Sequence, residues 1–100
     1  MPRVIVEQHF ETPVDEEEYT RLSKRLDNCL ELRNAAWVRS AMSTDRKHMI
    51  CEFEAPDAES VRQSYRSVGA AFTRVWSATV YAVEDYPEPM AKLTALRAKV

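Results

Sequence analysis

A single glycine in 100 residues removes a whole class of chemistry. Loops that wrap phosphates need several glycines for their tight turns and close backbone approach, so nucleotide binding through such a loop is excluded. There are only two cysteines, Cys29 and Cys51, and they stand in no CxxC spacing. Both read as reduced, buried thiols of a cytoplasmic protein. The longest apolar runs are a few residues, too short to span a bilayer. The start of the chain lacks the charged-then-apolar order of a signal peptide. Fourteen basic residues face sixteen acidic ones, a net charge of −2 with no basic stripe, so nothing draws nucleic acid. No Ser-His-Asp or Cys-His hydrolase motif is present.

With 45% hydrophobic and 30% charged residues, the chain has the composition of one folded domain. Arg3 to Phe10 and His48 to Ala55 read as short strands with unusual polarity. Side chains alternate across a strand, so Ile5, Glu7 and His9 share one face. His48, Ile50, Glu52 and Glu54 likewise share one, opposite an apolar stripe of Met49, Cys51, Phe53 and Ala55. Asp15 is a helix N-cap followed by Glu16, Glu17 and Glu18, which suit the helix dipole. Tyr19, Leu22, Leu26, Cys29, Leu30 and Arg33 then keep helical spacing to about Asn34. Ala35 to Met42 reads as a strand, joined by the polar hairpin 43–47 to the strand beginning at His48. Asp57 caps a second helix carrying Ala58, Val61, Tyr65 and Val68, and Gly69 suits its left-handed end. Thr73 to Asp85, rich in β-branched and aromatic residues, reads as the last long strand.

This order predicts an α+β, ferredoxin-like βαββαβ domain over residues 1–86, with a four-stranded antiparallel sheet and both helices on one face. Pro87 and Pro89 break the chain, and Met90 to Val100 has the spacing of a short C-terminal helix in an extension over 87–100. The other face of the sheet would carry Ile5, Ile50 and one phase of the strands that hold Trp37, Val38, Trp76, Val80 and Tyr81. Such a face is rarely left in water. The expectation is a homodimer packed sheet to sheet as a dimeric α/β barrel. Its cavity would be lined by Trp37 or Trp76 and by Tyr81, and would suit a small ligand.

Several segments resemble a known family: Val6-Glu7-Gln8-His9-Phe10, the Trp37 and Ser40 spacing, Asp45, and Cys51-Glu52-Phe53-Glu54-Ala55-Pro56-Asp57. The family is one of small ferredoxin-like domains, mostly without assigned function, one branch of which is described as nickel-binding. The resemblance covers about residues 1 to 85. It implies a ferredoxin-like dimer with divalent-metal binding, and Glu7, His9, Trp37, Ser40 and Cys51 match its pattern. Gln8 departs from the basic residue often seen there, and His48 falls at a variable position.

Three chemistries compete for the polar face. Nickel and zinc favour imidazole with carboxylate support, which makes His9 and Glu7 the first candidate metal ligands and His48 and Glu52 the second, from a neighbouring strand. Alternatively, His9 acts as an acid/base oriented by Glu7 in a cofactor-independent enzyme of cyclase, isomerase or monooxygenase type. The comparison with such enzymes is at the level of fold alone. Removal of Met1 would make Pro2 an N-terminal amine base, a signal one residue deep. The plainest reading is a hydrogen-bonded polar patch on the sheet.

Overall fold

The computed structural model describes residues 2–85, and the expected extension over 87–100 lies outside them. Each helix begins where an aspartate meets free backbone amides. Asp15 Oδ1 accepts the N–H of Glu17 at 2.9 Å and that of Glu18 at 3.2 Å, opening α1 (Glu16–Leu32). Asp57 Oδ1 accepts the N–H of Ser60 at 2.7 Å and opens α2 (Ala58–Ser67). Both helices end with a residue at positive φ, Asn34 (58°) and Gly69 (69°). The next amides, of Ala35 and Ala70, bond back to the carbonyls of Leu30 and Tyr65, each at 2.9 Å. This closes the last turns in the same way, with asparagine filling at one end the left-handed position that glycine fills at the other.

Four strands, β1 (Arg3–His9), β2 (Ala36–Met42), β3 (His48–Glu54) and β4 (Arg74–Ala78), form one sheet. Their order is β2-β3-β1-β4, and every neighbouring pair is antiparallel. This is the ferredoxin-like βαββαβ arrangement expected from the element order. The barrel is not: the sheet is open, and β2 and β4 are free edges among the described residues. The four strands lie in one open layer with no pairing between β2 and β4, whereas a closed barrel needs a continuous ladder around its whole circumference. The last strand is also shorter than expected. Ala78 pairs with Arg3, where β1 begins, so residues beyond Ala78 have no partner in the ladder. The chain turns away there and makes a short 3-10 turn at Val83–Asp85.

The core forms where the apolar phases of the strands meet the helices. Val4, Val6, Cys51, Phe53 and Val75 pack against Leu26, Leu30, Val61 and Tyr65, all buried. On β2 the pairing shifts, Trp37 standing opposite Phe53 and Arg39 opposite Glu52, so Val38 is an extra residue. Such a bulge reverses the alternation in the rest of its strand. Trp37 and Ser40 therefore share the helix side with their partners Phe53 and Cys51, whereas Arg39 joins Glu52 on the open face.

The caps carry a pH signature. The Ser60 backbone N–H, and after it the Ser60 side chain, hold the Asp57 carboxyl below the ordinary aspartate value of 3.8. A carboxyl lowered by folding adds stability that is present above its unfolded value and is lost as pH falls through the folded one. Asp57→Asn keeps a capping oxygen but removes the titration. The thermal midpoint at neutral pH is expected to change little, while its decline between about pH 5 and pH 2 becomes shallower, as thermal melts across that range would register.

Candidate functional site

The open face of the sheet collects charge in three places along β1 and β3. At one end, His9 and His48 stand directly opposite each other in the β1–β3 register. Their Nδ1 atoms are 3.3 Å apart and their ring centroids 4.6 Å apart, both side chains being exposed. The strand ends are pinned there by the Phe10 N–H, which donates to the Lys47 carbonyl at 2.8 Å. In the middle, Glu7 is paired with Arg74 across β4, 3.5 Å from its Nε. The same carboxylate oxygen accepts the Trp76 indole N–H at 2.8 Å. Glu7 thus turns toward β4, and His9 toward β3.

At the far end Glu52 is buried, only 6% exposed, yet fully paired. Arg3 reaches its Oε2 at 2.8 Å and Arg39 Nε its Oε1 at 2.9 Å. Arg3 also holds Glu54 at 3.1 Å. The segment after β4 comes back to this place: Val80, Ala82, Glu84 and Asp85 line one cleft with Arg3, Arg39 and Glu52. Tyr81 lies in this segment, strongly exposed, and Trp37 projects on the helix side. Trp76, the other tryptophan expected at the cavity, shares the open face with His9 and Glu7.

Of the four metal candidates, the structure brings His9 and His48 together. Glu7 and Glu52 are each engaged by cations elsewhere on the face. Among the described residues no group of three or more His, Cys, Asp or Glu side chains converges as a metal cluster. The polar partners that sequence reasoning misses are Arg3, Arg39 and Arg74, while Trp76 enters it only as a cavity-lining ring. Arg3 shares the phase of Ile5, Glu7 and His9 and is within reach of an alternation argument. The phase of Arg39 is hidden by the bulge at Val38, and that of Arg74 and Trp76 depends on the β4 register.

A cleft of about 540 Å³ opens beside His9, with Glu11 and Glu18 on its walls. The imidazole of His9, which lines it, and that of His48 have the spacing of two ligands of one ion. With metal–nitrogen bonds of about 2.0–2.1 Å, adjacent tetrahedral donors lie about 3.3 Å apart. Without an ion, the same distance serves one ring donating an Nδ1–H to the other.

The family profile described as "Nickel responsive protein SCO4226-like" matches residues 5–77. The chain belongs to this SCO4226-like family. Among solved structures it is similar to that of SCO4226 from Streptomyces coelicolor A3(2), with a TM-score of 0.71 at 11% identity, over 80% of this chain and 99% of that one. A structural-genomics structure of protein YJCS aligns at a TM-score of 0.49 and 13% identity, over 80% of this chain and 98% of the other. No curated protein matches significantly. The membership adds a link to nickel, and the likeness to SCO4226 adds the fold. As for membranes, no described helix is long and apolar enough to cross one.

Proposed function

We propose that this member of the SCO4226-like family binds a divalent cation, nickel first, at the His9–His48 pair on the open sheet face. The observation that carries the reading is the 3.3 Å separation of the two Nδ1 atoms on facing strand ends. A rigid antiparallel ladder sets that spacing in advance, so little ordering remains to be done when an ion arrives. Imidazole is a favoured ligand for nickel and zinc, and two nitrogens supply two adjacent coordination positions. Water, or the same pair on a second copy of the chain, supplies the rest.

A second copy is supported by the character of the same face. Ile50 and Trp76, 49% and 45% exposed, stand with His9 and Glu7 on it, and a face-to-face homodimer would cover them. Glu7 remains the support of Trp76 in this reading and lies outside the coordination sphere. The enzyme reading, in which Glu7 orients His9, gains no contact between the two side chains.

Calorimetric titration of metal-stripped protein with nickel and zinc chlorides tests the proposal. Saturable binding is expected, weakened about a hundredfold in both His9→Ala and His48→Ala, which corresponds to about 2.8 kcal/mol. Equal binding in wild type and both variants would remove the site from this face. Sedimentation of the same samples should give about twice the 11.6 kDa chain mass.

A further inference from the structure

The helix side of the sheet holds a second space, separate from the histidine pair. Two helices cannot cover four strands evenly, and β2, the edge strand beside α1, is exposed along most of its length. Between α1 and this edge a partly enclosed cavity of about 230 Å³ reaches inward to Cys51, Phe53 and Tyr65. Its floor is apolar, with Leu26, Met49 and Phe53, and Trp37 stands at the β2 side.

Several polar groups in its wall are hydrogen-bonded within the fold. The Trp37 indole N–H donates to Ser40 Oγ at 2.8 Å, and the Ser40 hydroxyl lies 3.1 Å from the Cys51 sulfur, placed to donate to it. The Tyr19 hydroxyl donates to Gln8 Oε1 at 3.3 Å. The Tyr65 hydroxyl, on a side chain that is 0% exposed, lies beside the Cys51 sulfur but makes no hydrogen bond of good geometry among the described residues. A buried polar group without a partner is rare in native structures and calls for a ligand, a water or a functional reason. Burial first, and then the neighbouring Cys51, hold the phenol well above its ordinary value, so it keeps its proton and offers a donor.

Size and charge narrow the occupant. A cavity of about 150 Å³ is enough for benzene, and drug-sized ligands need about 300 Å³ or more. The space under α1 falls between them, which fits one ring with a small substituent. Asp27 is exposed at its rim, and a carboxylate there disfavours an anion. We propose that the cavity beneath α1 binds a neutral single-ring molecule that presents one hydrogen-bond acceptor to the Tyr65 hydroxyl. This site is independent of metal binding at His9 and His48.

Acetophenone is a suitable probe, with ethylbenzene as its counterpart lacking the acceptor. In a Trp76→Phe background the remaining Trp37 reports from the cavity wall, and backbone amide shifts of the wild type map the site. The expected result is a saturable change in Trp37 fluorescence, with shifts confined to α1, β2 and the neighbourhood of Cys51. Ethylbenzene should bind about tenfold more weakly, the scale of one hydrogen bond. Tyr65→Phe should weaken acetophenone by the same factor, while its thermal midpoint stays equal or rises because an unpaired buried hydroxyl has gone. His9→Ala should leave the titration unchanged. The proposal is overturned if acetophenone gives no saturable change, if it binds Tyr65→Phe as well as wild type, or if the shifts fall on the open face.

Discussion

Phe53→Ala is expected to lower the stability of this domain by about 3–5 kcal/mol, the range for removing a buried aromatic side chain from a core. Phe53 sits where the layers meet. It is 2% exposed, lies opposite Val4 on β1 and Trp37 on β2, and faces both helices. Its ring meets Tyr65 edge-on at 6.1 Å and 88°, and Tyr65 meets Phe72 in the same way at 6.0 Å and 87°. Such pairs add about 0.5–1.5 kcal/mol beyond the area they bury. Collapse around the gap would be hindered, because Phe53 lies on a central strand held by ladders on both sides. The whole stability of a small domain is about 5–15 kcal/mol, so the variant should sit close to the unfolding threshold. Urea unfolding monitored by circular dichroism gives the number directly. A loss under about 1 kcal/mol would mean that the helices close onto the sheet freely and that the core is loosely packed.

The same residue shows what alternation makes legible. Met49, Cys51 and Phe53 can be assigned to the helix side, and Glu52 and His48 to the other, from period two alone. The helix starts are legible for a similar reason, since Asp15 and Asp57 stand just before runs with helical spacing. What stays hidden depends on register. The phase of β2 turns on one extra residue, Val38, and no propensity marks it. The end of β4 is set by where β1 begins, a long-range fact, so the β-branched and aromatic residues after Ala78 look like more strand. The His9–His48 contact is intermediate. Facing strands make it available, but only the pairing of β1 with β3 residue by residue brings the two rings together. Glu52 reads as a ligand because a carboxylate on the same strand face as His48 looks free to coordinate. Its partners come from two other strands, and one of them lies beyond the bulge.

That arrangement carries the other large effect. Glu52 is a buried carboxylate whose oxygens are divided between two arginines, and the arginines are the exposed members, with side chains 32% (Arg3) and 60% (Arg39) accessible. The asymmetry predicts opposite outcomes for removing the two sides. Glu52→Gln leaves two guanidinium groups that can swing into water, so the cost should be about 1 kcal/mol or less, discounted for their exposure. Arg3→Met with Arg39→Met keeps much of the side-chain length but strands a carboxylate below the surface, and breaking a buried pair from that side costs about 3–5 kcal/mol. The combination Arg3→Met, Arg39→Met and Glu52→Gln removes the stranded charge and should recover most of the loss. The recovery is what separates an electrostatic cost from lost packing, because both methionine variants lack the same guanidinium contacts. Denaturant midpoints of wild type and the three variants decide between them. If the double variant is no less stable than Glu52→Gln, the carboxylate is reaching water, and residues 80–85 do not shield it. If it is much less stable, Arg3 and Arg39 are committed to holding the buried Glu52 carboxylate at this end of the open face. The uncommitted nitrogen donors of the face then sit at the opposite end, with His9 and His48.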